Sequence, residues 1–402
     1  MSFDNRIFGN ERKYVEEVLS TSFASSSGAK MMTRLEQAFS ERFEQKFAIS
    51  FVNGTATMHA ALEALGIGEG DEVIVPPLTM SATTFAVLQC NATPVFADVD
   101  PHTFQIDAVS IEQRITTATR AIITVSLYGM CPEMDAIKAI AEKNSLAIIE
   151  DNAECFLGKY KGRLAGSFGD FASYSFQSSK HITSGEGGMI TTNNVDYAEK
   201  IRKVQSLGYT GVGAKKAKIS KSDIQSPSYA RHSTLGWNYR MPELCCAVAL
   251  AQIENIDELV QRRIDVAKTF SNASEQFRAW FVPQQVPDYC EHSYWTWVIK
   301  LNAENISWDE FYKEFRSRGG DGVYGAWRLT YLEPMFESMD LLGRERYITS
   351  RNKALYQRGL CPNAEAIQPN LIQFKTNYWK FDDARTQAGI LFDTLSVLDK
   401  RY

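Results

Sequence analysis

A chain of 402 residues, 44% hydrophobic and 23% charged, is long and apolar enough for a full core and two domains. A formal net charge of −5 argues against a nucleic-acid partner. The absence of a long apolar run argues against a membrane span.

The seven cysteines are scattered and odd in number, which predicts reduced thiols of a cytoplasmic protein. No Cys-x-x-Cys occurs, and the histidine spacing suggests no metal. The start, Met1 to Arg6, has no apolar signal region.

Residues 1–30 form an N-terminal segment: a predicted helix from Asn10 to Leu19, then an irregular run rich in Ser, Ala and Gly from Ser20 to Ala29. Leu35, Phe39 and Phe43 stand at helical spacing within Met31 to Phe43. Predicted strands follow at Phe47 to Val52, Glu72 to Val75, Pro94 to Ala97, Ala121 to Ser126, Leu146 to Glu150, Phe171 to Phe176 and Met189 to Thr192. Helical patterns separate most of them: Ala56 to Leu65, Ser81 to Cys90, Val109 to Arg114 and Pro132 to Asn144. This alternation predicts an α/β fold with a mainly parallel sheet between helices, over residues 31–261. Residues 212–235 read as a solvated basic loop, with contact to a diphosphate as the other reading. A smaller α+β domain is expected over 262–402, with a strand at Tyr294 to Leu301 and a last helix at Asp382 to Leu398.

Ligands of such sheets bind beyond the carboxyl ends of the strands. Three strand ends carry suitable chemistry. Asn53-Gly54-Thr55-Ala56 opens a helix whose free N–H groups can hold an anion. Asp151 ends a buried strand and needs a cationic partner. Ser175 is followed by Lys180 in a polar loop before Gly185, and a desolvated lysine can form a Schiff base. Alone, each has an ordinary reading: a helix cap for Asn53 and Asp151, a solvated loop for Lys180. Together they are the groups that pyridoxal phosphate needs.

These blocks, with Gly68 to Pro77, Pro94 to Asp98, Ile149 to Ala153, Tyr160 to Gly162, Gly185 to Gly188 and Asn238 to Met241, resemble the DegT/DnrJ/EryC1/StrS family of sugar aminotransferases. The resemblance is carried by residues 30–260 and is weaker beyond, through His292 to Trp295 and Gly322 to Phe336. It implies the type I aminotransferase fold with a seven-stranded sheet and pyridoxal 5′-phosphate as cofactor. Lys180 would be the Schiff-base lysine and proton carrier. Asp151 would pair with the pyridine nitrogen. Ser175 and the Thr55 and Ala56 amides would hold the phosphate. Asn238 would reach the neighbouring subunit's phosphate, which implies a homodimer with shared sites.

Three positions depart from the family pattern. Met80 stands where an aromatic ring usually lies on the cofactor; a thioether is a weaker platform. Glu154 replaces a glutamine near the cofactor's phenolic oxygen, so it is expected to be protonated or turned towards a cation. Leu207-Gly208 replaces a His-Gly.

The implied reaction moves an amino group from glutamate to a keto-deoxy sugar on a nucleoside diphosphate, for surface polysaccharide or other amino-sugar synthesis. A keto-inositol acceptor is an alternative. A second is a sugar 3-dehydratase, whose relatives replace the lysine with histidine; Lys180 stands in register against that, although His181 is adjacent. A cofactor-binding regulator is the non-enzymatic alternative. Cys361 to Asn370 is expected near the sugar pocket.

Overall fold

Short runs of β-branched and aromatic residues, bounded by small polar ones, set the strands. The computed structural model describes residues 5–23, 30–304 and 306–401, so residues 24–29 of the predicted irregular run lie outside it. Strands β1 (Phe47–Phe51), β2 (Glu72–Val75), β3 (Thr93–Phe96), β4 (Thr119–Val125), β5 (Ala147–Asp151), β6 (Phe171–Ser175) and β7 (Gly188–Thr192) form one sheet. Their order is β1-β7-β6-β5-β4-β2-β3. The predicted strands are all present, within two residues at either end.

Strands β2 and β6 are buried along their whole length, as expected of a sheet covered on both faces. Strand β7 alone runs antiparallel, against β1 and β6. The link from Phe176 to Gly187 contains no helix, and without one a parallel crossover cannot be made. The helix Gly54–Leu65 after β1 is apolar nearly all round and lies inside the core. Asn53 caps it, and it ends on Gly66 in the left-handed region, φ 77°.

The N-terminal helices Asn10–Ser20 and Met31–Arg42 pack on Glu243–Ile253 through Tyr14, Val18, Leu35, Phe39 and Leu250. Under them lies a buried ion pair, Arg202 Nη2 to Glu36 Oε2 at 2.6 Å, with side chains 2% and 10% exposed. Glu36 Oε1 also accepts the Ser50 amide at 2.9 Å, which ties the pair to β1. Removing one partner strands a buried charge, so Arg202→Met should destabilise the protein by about 3–5 kcal/mol. Urea unfolding of the two proteins checks this; equal midpoints would contradict it.

A second sheet holds β8 (Phe281–Pro283), β9 (Thr296–Leu301), β10 (Val323–Gly325) and β11 (Leu371–Lys375), all antiparallel in the order β8-β9-β11-β10. Helices Ile256–Ser274 and Phe381–Leu398 cover it through Phe270, Trp297, Phe374 and Leu391. The predicted strand at Tyr294 starts later, at Thr296. Tyr294 takes φ 51° and packs on Gly129, where an added Cβ would lie 2.6 Å from Tyr294 N.

The chain then returns to the edge of the first sheet. Tyr331, Phe336 and Tyr356 surround Phe96 of β3. Cys361 is buried there, and the Asn363 and Ala364 amides donate to Asp98 at 2.8 and 2.9 Å. Part of the segment expected near the sugar pocket, Asn363 and Ala364, thereby caps the end of β3. Among the described residues no helix is long and apolar enough to cross a membrane.

Candidate functional site

A cavity of about 350 Å³ opens beyond the ends of β1, β5 and β6. Thr55, Met80, Asp151, Glu154, Ser175 and Lys180 all line it. The topology thus gathers six of the expected residues from separate stretches of sequence.

Alternation along β5 sends its last two acids to opposite faces. Glu150 is structural: its oxygens accept the Gly166, Phe168 and Gly169 amides at 2.6–2.7 Å. Asp151 turns to the cavity. It accepts the Thr83 hydroxyl at 2.9 Å and the Ala153 amide at 3.1 Å. Burial pushes its carboxyl above the usual range, opposed by those two hydrogen bonds and by Lys180.

Ser175 lies beside the helix start, where a Cβ on Gly54 would sit 3.1 Å from Ser175 Cβ. Thr55 faces the cavity. Ala56 is not a lining residue, and its amide donates to Asn53 Oδ1 at 2.8 Å, so the helix cap and an anion would share that N–H.

Lys180 sits in a loop fixed by main-chain contacts. Its carbonyl accepts from Arg263 at 3.0 Å and from Arg6. Arg263 also donates to Ser179 O, Trp295 O and the Thr376 hydroxyl. Burial lowers both guanidiniums, Arg6 to about 10. The Lys180 ammonium lies 3.3 Å from Glu154 Oε1 and 4.2 Å from the centre of the Trp295 ring. Glu154 is thus turned towards a cation, the second of its two expected states. Burial raises its carboxyl, against the pull of Lys180 and the Tyr128 amide.

Met80 lines the cavity and is 52% exposed. Asn238 is exposed and does not line this chain's cavity; its backbone bridges to Ser206. His181 is fully buried, with Nε2 2.9 Å from Ser293 O, and stays out of the cavity. In the basic loop, Lys218 pairs with Glu243 at 3.2 Å and Lys216 lies 4.0 Å from Asp223.

A spatial cluster that spacing could not reveal is His59, Glu63 and Cys90, whose ligand atoms lie within 4.8 Å of one another. His59 Nδ1 lies 3.0 Å from the Tyr239 hydroxyl, and Nε2 lies 3.3 Å from Glu63 Oε1.

Sequence reasoning missed Thr83, Trp295, Arg263 and Arg6. Thr83 had a usable signal, since it opens the helix after β2 on the same sheet edge. The other three come from distant stretches, and only the fold brings them near Lys180.

The family model for the DegT/DnrJ/EryC1/StrS aminotransferase family matches residues 5–367. Over 302 residues the chain is 39% identical to GDP-perosamine synthase of Caulobacter vibrioides, covering 75% of this chain and 77% of that protein. It is 35% identical over 294 residues to the spore coat polysaccharide biosynthesis protein SpsC of Bacillus subtilis, covering 73% and 74%. The crystal structure of an aminotransferase from Psychrobacter cryohalolentis matches with a TM-score of 0.85 at 26% identity, over 100% of this chain and 99% of that one. A lysine, a buried acid and a capped helix start on one sheet edge, within this match, make the chain a member of the DegT/DnrJ/EryC1/StrS family and a pyridoxal-phosphate-dependent aminotransferase.

Proposed function

We propose that the enzyme transfers an amino group from glutamate to a keto-deoxy sugar carried on guanosine diphosphate, yielding an amino sugar for polysaccharide synthesis. The observation that carries this is Lys180, Asp151, Thr55 and Ser175 lining one cavity in a chain 39% identical to a GDP-perosamine synthase. SpsC, the polysaccharide relative, supports the destination.

The residues fit the cofactor. Asp151 is a cavity-facing buried carboxyl that accepts hydrogen bonds from the Thr83 hydroxyl and the Ala153 amide, so it suits a protonated ring nitrogen. Thr55 and Ser175 beside the helix start suit a phosphate. The bound cofactor supplies an electron sink for the bond electrons left when a proton departs. Lys180 Nζ takes the proton from the donor carbon and returns it to another carbon. Asp151 keeps the ring nitrogen protonated. Trp295 and Trp327, 5.8 Å apart and stacked, form an apolar part of the cavity lining.

A homodimer belongs to the same proposal. Leu235 (78% exposed) and Trp237 (39% exposed) give a partly apolar face beside Asn238, the residue expected to reach a partner. The free cysteines favour a cytoplasmic setting. Domains at 31–261 and 262–402 are supported by separate apolar clusters on the two sheets, with Leu329 to Leu371 packing back on β3.

The test is a two-stage assay. Glutamate should convert the cofactor to its amino form. A GDP-linked keto-deoxy sugar should then restore the aldehyde form faster than uridine- or thymidine-linked ones. Restoration by a keto-inositol and by no sugar nucleotide would overturn the acceptor assignment.

A further inference from the structure

Glu154 and Lys180 form a nearly dry pair. Their side chains are 4% and 12% exposed, and Nζ stands 3.3 Å from Oε1. Nζ also lies 4.2 Å from the centre of the Trp295 ring. The second oxygen, Oε2, accepts the Tyr128 amide at 3.0 Å. Tyr128 offers that N–H from the left-handed region, φ 65° and ψ −2°, unusual for a bulky residue. Such strain persists only where the surroundings enforce it. Here Gly129, at φ 115°, meets Tyr294 N and Trp295 N too closely to admit a Cβ. A single tight approach of two chain segments thus fixes the donor to Glu154 and the ring beside Lys180.

We propose that Glu154 is the positioning residue that holds the Lys180 ammonium whenever Nζ is not covalently engaged, so that the transferred proton stays on Nζ and is not lost to water. The inference rests on the transaminase reading above and extends it to how the proton is kept. In the step concerned, a C–H bond of the donor breaks and an N–H bond forms at Nζ, using the amine's lone pair. The C–H electron pair would be taken up by the bound cofactor, whose chemistry supplies the electron sink. Glu154 remains a carboxylate throughout, and no further reactant is needed.

The groups facing Glu154 are the Lys180 ammonium, the Tyr128 amide and buried hydroxyl, and Asp151. Those facing Nζ are Glu154, Trp295, Asp151 and His181. Burial raises the Glu154 carboxyl. Its charged form, and with it the hold on Lys180, is therefore lost as pH falls through a value above the ordinary glutamate range. Proton transfer should lose rate on that acidic limb.

The test uses two readouts on wild type, Glu154→Gln and Glu154→Asp. In the first, cofactor-free protein is acylated with acetic anhydride across pH, and the Lys180 peptide is quantified by mass spectrometry. Glu154→Gln, which no longer holds Nζ by charge, should label Lys180 about 10-fold faster at a fixed pH, with Glu154→Asp between. In the second, single-turnover conversion with glutamate should slow by about 10–100-fold in Glu154→Gln, with KM nearly unchanged and the acidic limb gone. Superimposable labelling curves in folded wild type and Glu154→Gln would overturn the proposal. Failure to take up cofactor would overturn the transaminase reading, while the labelling arm would still decide this one.

Discussion

Lys180→Ala should abolish transamination, lowering turnover by about 1,000-fold or more, because one amine serves as both nucleophile and proton carrier. The fold should survive. The Lys180 loop is held through main-chain carbonyls by Arg263, Arg6 and the Trp295 indole, none of which needs the lysine side chain. Glu154 would lose its cation but keep the Tyr128 amide, and a buried carboxyl left so can become neutral at modest cost. Borohydride treatment of wild type should fix the cofactor label on the Lys180 peptide, and the variant should take no label. Retained turnover, or label on another side chain, would refute the assignment.

Lys180, Asp151, Thr55 and Ser175 were legible in the sequence because each ends or follows a strand in a chain that alternates strand and helix. In such a sheet the strand ends are the only place where loops converge. The local pattern also located Asn53 as a cap, but could not say that the cap would accept from the Ala56 amide. The antiparallel β7 was missed, although the helix-free link before it held the clue. What surrounds Lys180 was not legible. Trp295 lies in a block that resembles the family only weakly, and Arg263 sits on the charged helix Ile256–Ser274. Arg6 precedes the first helix. Their roles arise from closing long loops, which no local periodicity encodes. The contact of the Cys361 segment with Asp98, at the far edge of the first sheet, was not legible for the same reason.

Asp151→Asn should act in opposite directions on activity and on the stability of the cofactor-free protein. An amide has nearly the carboxylate's shape and can still match the Thr83 hydroxyl and the Ala153 amide. It cannot carry the charge that keeps a ring nitrogen protonated, so turnover should fall by about 100-fold or more. The stability effect follows from linkage. The folded-state pKa of Asp151 is raised, mainly by burial. A group of that kind favours folding below its unfolded pKa, and the contribution is lost as pH rises through the folded value. At neutral pH the ionised side chain therefore weighs against the empty fold. Removing its charge should raise the melting temperature of the cofactor-free protein at pH 7, with the gain disappearing in acid. Cofactor binding should reverse the order, because a ligand stabilises in proportion to its affinity for the folded state and the variant has lost the ring nitrogen's counter-ion. Thermal melts with and without cofactor, at pH 7 and in acid, provide the check. If Asp151→Asn lowers the cofactor-free melting temperature at neutral pH while cofactor stabilises both proteins equally, Asp151 is a structural acid like Glu150 and not the partner of the ring.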